Sequence, residues 1–198
     1  MTTSTPTRER IIDSAMRLFG ENGYRGTSVA QIEKAAGLTP GAGGLYHHFR
    51  TKEAVLSAGI ERHLARLDAL RDIRRVLTGL GDLRAELTLT ARYVLAELDG
   101  EEELLRIMAS EARNLPEIVE VAIEQLVSTT YTEFAAWLRE RAGLPDDRAT
   151  AVATVGLGSL LSSRILRSVL KVTAVGVDDD TFVATWVEMM HALLGDRG

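Results

Sequence analysis

Residues 39–49 read Thr-Pro-Gly-Ala-Gly-Gly-Leu-Tyr-His-His-Phe. Their chemistry is recognition rather than catalysis. Gly41, Ala42, Gly43 and Gly44 present almost no side chain, so backbone there can approach a partner closely. Tyr46, His47 and His48 follow, and of these His47 is the best outward candidate for a base or backbone contact. Two adjacent histidines also invite a metal reading. Neighbouring helical side chains point about 100° apart, however, and cannot easily share one ion. With no cysteine and four histidines in all, no metal site is expected. The glycine runs 41–44 and 156–158 lack a preceding strand and the full dinucleotide fingerprint. No P-loop, HExxH or GxSxG is present, so an enzyme is not expected.

The elements that must hold these residues are helices. Ile11, Ile12, Ala15, Leu18 and Phe19 recur at helical spacing from Arg8 onward, and Gly20 and Asn22-Gly23 end that helix. Thr27-Ser28 opens a second helix, with Ser28 and Gln31 at capping-box spacing and Gly37 as its stop. Thr39 is an N-cap with Pro40 at the first helical position. Firm helix is expected from about Gly44 through Phe49, with Leu45 and Phe49 facing the core and Tyr46 and His47 facing outward. The glycines make helicity here marginal, at about 1 kcal/mol each. They predict a turn that is mobile without its partner and orders on binding.

Thr51 caps a long fourth helix with a stripe of Leu56, Ile60, Leu64, Leu67, Leu70 and Ile73. Further helices follow over 83–98, 101–113, 116–141, 146–171 and 181–194. The whole is all-α, with about nine helices and three parts. These are a flexible arm (1–7), a three-helix helix-turn-helix domain (8–52) and a larger helical domain (53–198).

Net charge is −5, yet residues 1–52 carry seven Lys/Arg against four Asp/Glu, and the remainder is acidic. A cationic end on an acidic body suits a two-part DNA binder. The chain has no uninterrupted run near the roughly 20 apolar residues of a membrane span and no apolar signal core at its start. The absence of cysteine fits a reducing compartment, so the cytoplasm is expected.

Three stretches, TRERIIDSAMRLFGENGYRGTSV, QIEKAAGL and GLYHHFRTKEAVL, occur in an order that resembles the tetracycline-repressor (TetR) family over about residues 7–56. The resemblance implies a homodimeric regulator that binds a pseudo-palindromic operator in double-stranded DNA. It also implies a C-terminal domain for a small-molecule effector whose binding releases DNA and derepresses transcription. Family members usually have about five residues between the glycine ending the second helix and the Leu-Tyr pair. Here seven, Leu38 to Gly44, separate Gly37 from Leu45.

By resemblance Thr27 and Ser28 meet a phosphate, Tyr46 gives its hydroxyl to another, and Lys52 meets a third. The bland alternatives are a plain cap, a half-buried aromatic and a solvated lysine. The candidate DNA-contacting set is Thr27, Ser28, Thr39, Ala42, Gly43, Gly44, Tyr46, His47 and Lys52. Candidate effector-pocket residues are Tyr93, Met108, Tyr131, Phe134, Trp137 and Arg164, each with plain core or surface as its alternative. The small-residue tract with Gly156, Ser159 and Ser163 is assigned with Phe182, Trp186 and Met190 to a dimer interface, the alternative being close packing inside one subunit. No cofactor is expected beyond an unidentified effector. An effector-driven shift of the fourth helix would change the separation of two recognition helices, which must suit half-sites about 34 Å apart. The competing function is a helical small-molecule-binding or interaction module without DNA activity.

Overall fold

The computed structural model describes residues 6–77, 81–111, 117–172 and 176–194; side chains are described in these segments except at 64, 66–77, 109–111, 117–123, 125, 126 and 168. Among the described residues the chain is all-α. The helices are α1 (Thr7–Asn22), α2 (Val29–Ala35), α3 (Lys52–Leu77), α4 (Leu83–Gly100), α5 (Glu102–Glu111), α6 (Glu117–Ala142), α7 (Asp146–Arg164) and α8 (Asp179–Leu194). A 3₁₀ turn, Leu45–His47, stands between α2 and α3, and a π-helical segment, Ile165–Val169, prolongs α7. In that segment the Leu170 amide donates to the Ile165 carbonyl five residues back, at 3.1 Å.

The chain forms two compact units, Met1–Arg66 with Glu101–Ala122, and Leu67–Gly100 with Ile123–Gly198. Helix α5 packs along α1 within the first unit. Of the expected N-terminal arm, residues 1–5 lie outside the described residues and Thr7 already belongs to α1. In the long stripe of α3, Leu56 and Ile60 are buried, while the side chains of Leu64, Leu67, Leu70 and Ile73 lie outside the described residues.

In the first unit, Ile11, Ile12, Ala15, Met16 and Phe19 form the buried face of α1, as their spacing predicts. Gly23, at φ 76°, ends the helix, and its N–H donates to the Phe19 carbonyl. Gly59 of α3 lies directly over Met16. A Cβ there would sit 2.3 Å from the Met16 sulfur, so α3 approaches α1 at a distance that glycine permits. Arg62 of α3 donates to Glu9 at 3.2 Å and Asp13 at 2.6 Å on α1. Buried His63 of α3 pairs through Nδ1 with buried Glu101, just ahead of α5.

In the second unit, Leu87, Ala91, Phe134, Leu138, Ala149, Val152, Leu160, Val183 and Met190 belong to one apolar core. Gly156, Trp186 and Met190, expected at a dimer interface, are spent inside the chain. The Trp186 indole N–H donates to the Gly156 carbonyl at 2.8 Å. A Cβ on Gly156 would lie 2.8 Å from the Met190 sulfur. The missing side chain thus lets α7 and α8 of one chain close on each other. Ser159 and Ser163 donate their hydroxyls to carbonyls of their own helix, Gly156 and Leu160, and Phe182 is half-buried against the core.

Arg164, 3% exposed, is also spoken for. It forms two-pronged hydrogen bonds with Asp99 (2.8 and 2.9 Å) and with Asp179 (2.9 and 2.8 Å). Burial alone would lower its pKa, but the bonds it donates to the Asp179 and Asp99 carboxylates outweigh that and hold the guanidinium charged. The hydrogen bond from Arg164 in turn holds the Asp179 carboxyl below the usual range. Asp178 is likewise lowered, by the Thr181 N–H and hydroxyl that it caps at the start of α8.

Candidate nucleic-acid interface

The capping box read from the sequence is present. Ser28 Oγ accepts from the Gln31 N–H at 3.3 Å, and the Gln31 side chain accepts from the Ser28 N–H at 2.7 Å. This leaves Ser28 exposed at the front of α2. Thr27 points the other way. It is 1% exposed, and its hydroxyl donates to the carbonyls of Leu18 and Gly23 at 3.0 and 2.9 Å. Its side chain is therefore a fold anchor and cannot meet DNA as placed, while the exposed Ser28 hydroxyl donates to the Gln31 side-chain oxygen at 2.8 Å.

Lys52 also turns inward. Its ammonium donates to the carbonyls of Tyr24 (2.7 Å) and Thr27 (2.9 Å) and lies 4.2 Å from the centroid of the Tyr24 ring. Tyr24 packs on Phe19 with centroids 5.3 Å apart. Burial, and then the negative charge of Glu53, push the Tyr24 hydroxyl up, so it remains neutral. Lys52 thus ties the start of α3 to the corner between α1 and α2.

The recognition element is shorter than expected. Instead of helix from Gly44 through Phe49, only Leu45–His47 is helical, as a single 3₁₀ turn. Gly41 and Gly43 take φ of 76° each, a region L side chains rarely enter, so a regular helix cannot start before Gly44. A Cβ at Gly41 would meet nothing within 4 Å, and at Gly43 only the Tyr46 ring at 3.9 Å. These two glycines are needed for conformation, not for room. Leu45 and Phe49 are buried as predicted, and the Arg8 guanidinium lies 5.0 Å from the Phe49 ring centroid. Tyr46 is 56% exposed, and His47, Thr39 and Ala42 are exposed beside it. His48, which the pattern left unassigned, is exposed too.

Sequence reasoning missed Glu33. It lies in α2 at 0% exposure. One carboxylate oxygen accepts from the Gly41 N–H at 2.7 Å and the other from the Leu45 N–H at 3.0 Å, while its own carbonyl accepts from the Leu38 N–H at 2.8 Å. The glycine turn, expected to be loose, is fastened at both ends. The only available signal was a glutamate one residue from the buried Ile32, and such a residue normally reads as solvent-facing.

The effector-pocket candidates do not gather in one described cavity. Phe134 is core, stacked on Trp137 with centroids 5.5 Å apart. Tyr93 is half-buried and bonds Glu97. Tyr131 lines a small surface cleft with Arg139 and Thr150, and Arg164 lines a larger cavity, about 540 Å³, with Ser159, Arg167 and Phe182. Met108 belongs to the other compact unit. Among the described residues no cluster of His, Asp or Glu is arranged to hold a metal ion.

A capped short helix, a tight turn and one exposed helical turn carrying Tyr46 and His47 define a helix-turn-helix unit. Residues 11–58 match the family described as bacterial regulatory proteins, tetR family. This segment of the chain, the helix-turn-helix unit with the start of α3, belongs to that family. The chain is 35% identical over 138 residues to the HTH-type transcriptional regulator UidR of Escherichia coli K12, a match covering 68% of this chain and 65% of UidR. The match thus spans a little under two thirds of that relative's length. Among solved structures, the fatty acid degradation regulator FadR from Bacillus halodurans has a TM-score of 0.68 at 20% identity, covering 99% of this chain and 98% of that one. AibR, solved with isovaleryl coenzyme A and operator DNA, has a TM-score of 0.66 at 20% identity over 93% of this chain and 97% of its own. At these identities the structural likeness speaks for the fold.

Proposed function

We propose that the chain is a ligand-responsive, DNA-binding transcriptional regulator, acting in the cytoplasm as a repressor that leaves its operator when a small molecule binds the C-terminal helices. The observation that carries this reading is the joint outward presentation of Ser28, Tyr46 and His47 from α2 and the 3₁₀ turn, beside the bare backbone of Gly41 to Gly43. Phosphate contacts would come from the Ser28 and Tyr46 hydroxyls and base-edge contact from His47. Thr39, Ala42, Gly43 and Gly44 would supply close backbone.

A homodimer would set two such units on a pseudo-palindrome. Its contact is best sought on the exposed faces of α7 and α8. Helix Asp146–Arg167 is apolar enough in composition to span a membrane. Its apolar surface is only partly used by the core. Ala151, Thr154, Val155 and Ser162 remain exposed on α7, and Ala184, Thr185 and Ala192 on α8. The uncharged stripe of α7 suits a second copy of the same helices, which would set the contact outward from Gly156, Trp186 and Met190.

AibR supports coenzyme A thioesters as the first effectors to screen. The test is fluorescence anisotropy on DNA upstream of the chain's own and neighbouring genes, and on duplexes selected from a random library, titrated with salt. Selective binding with a log–log salt slope near −0.9 per neutralised phosphate is expected. Failure to prefer any selected duplex over random DNA refutes the reading.

A further inference from the structure

We propose that Glu33 is a positioning residue for DNA recognition, and that its carboxylate sets how strictly the recognition turn discriminates one sequence from another. The inference rests on the DNA-binding reading above. Glu33 is fully buried, and among the described residues no cation pairs with it. A buried carboxylate is costly unless its oxygens are satisfied. Here the satisfying donors are the backbone amides of Gly41 and Leu45, at opposite ends of the glycine turn. Bonds from N–H to an ionised carboxylate are about twice as strong as neutral ones.

The geometry explains why such a device is needed. Between these amides lie Ala42, Gly43 and Gly44, the last with its Cα facing Leu38 so that a Cβ would come within 3.3 Å of that side chain. Two glycines at positive φ give this segment large conformational freedom in isolation. Backbone bonds within the turn run from the Ala42 N–H to the Thr39 carbonyl at 3.3 Å and from the Tyr46 N–H to the Gly43 carbonyl at 3.0 Å. The Leu45 amide opens the turn that carries Tyr46 and His47. Fixing it to a side chain of α2 fixes those two residues relative to Ser28, at the other end of α2. Base readout requires such registration, whereas attraction to phosphates does not.

Three variants of the measurement separate positioning from simple stability. Amide exchange in the free wild-type protein reads the clamp without DNA: slowed exchange at Gly41 and Leu45 is expected, and rates equal to an unstructured peptide overturn the proposal. Glu33→Gln offers one acceptor oxygen where two are needed. Glu33→Asp keeps the charge but is one methylene too short to bridge both amides. For each, affinity is measured on the duplex selected by the wild type and on a random duplex. Affinity for the selected duplex should fall about ten- to a hundredfold, the scale of a lost hydrogen bond to a charged group. Affinity for random DNA should hold or rise, with an unchanged salt slope, because no phosphate contact is lost. A parallel loss on both duplexes, tracking a lowered Tm, makes Glu33 merely structural and overturns the proposal, as does an unchanged ratio. If neither variant folds, the wild-type exchange pattern decides. A wild type that prefers no duplex would sink the regulator reading while leaving the exchange result standing.

Discussion

Replacing Lys52 by methionine separates two roles that predict opposite outcomes. Methionine keeps most of the apolar stem, so the packing of the chain along the Tyr24 ring survives. What disappears is the ammonium, with its bonds to the Tyr24 and Thr27 carbonyls at 2.7 and 2.9 Å and its place 4.2 Å from the ring centroid. Hydrogen bonds to a charged donor contribute about 1.5–3 kcal/mol each when buried. At this half-buried site about 1 kcal/mol each is apt, and the cation–π contact adds about 0.5–1 kcal/mol. The expected loss is thus about 2–3 kcal/mol. For a chain of this size that lowers Tm by about 4–12 °C. Urea unfolding at fixed protein concentration measures it, because a dimer's apparent stability depends on concentration. The salt slope of DNA binding should stay unchanged, since the ammonium faces carbonyls and not phosphates. A slope smaller in magnitude by about 0.9 with an unaltered Tm would refute the reasoning and restore Lys52 as a phosphate ligand.

Gly59→Ala should destabilise by up to about 2 kcal/mol, as overpacking against Met16 exceeds the helix-propensity gain of about 1 kcal/mol; in a Met16→Ala background the same change should stabilise, and additivity in this cycle would contradict the contact. If the proposed homodimer forms through α7 and α8, Val155→Arg should give a monomer in light scattering and weaken operator binding with it; an intact dimer would place the interface elsewhere. Asp178 and Asp179 have folded-state pKa values below their ordinary range near about 3.9, so the stability they contribute is present above that value and is lost as pH falls through the lowered ones. Glu103 is raised by burial and acts in the opposite sense, so the comparison of wild type with Asp179→Asn isolates the aspartate: the variant should lose less stability on acidification below pH about 4.

How legible the site was depended on whether a residue's partner lay nearby in sequence. The Ser28–Gln31 box spans three residues and obeys a known spacing, so it could be read directly. The orientation of Leu45, Tyr46 and Phe49 followed from helical angles even though the helix shrank to one turn, because the 3₁₀ turn keeps Leu45 inward and Tyr46 outward. Lys52 and Thr27 were misjudged because their partners are backbone carbonyls, some of them distant in the chain, which carry no residue-type signature. Glu33 was invisible for the same reason, since its partners are amides 8 and 12 residues away. The tract around Gly156 did announce close helix packing. Whether the neighbour was Met190 of the same chain or of a second one is a matter of tertiary geometry, which small residues alone do not encode.

The π-helical stretch after Arg164 bears on how this chain tolerates changes of length. A turn bonded five residues back holds one more residue than an α turn, which is what a single inserted codon leaves behind in a helix. Arg164 and the residues before it keep their facing; those after the segment are rotated by about 100° and advanced by about 1.5 Å. Deleting one residue after Arg167 would take up the slack as ordinary α-helix and turn Leu170 to a new side, while Arg164 and Arg167 kept their places beside Asp99. The end of α7 is thus a place where descendants of this gene can gain or lose a residue and redraw the adjoining surface without unsettling the core.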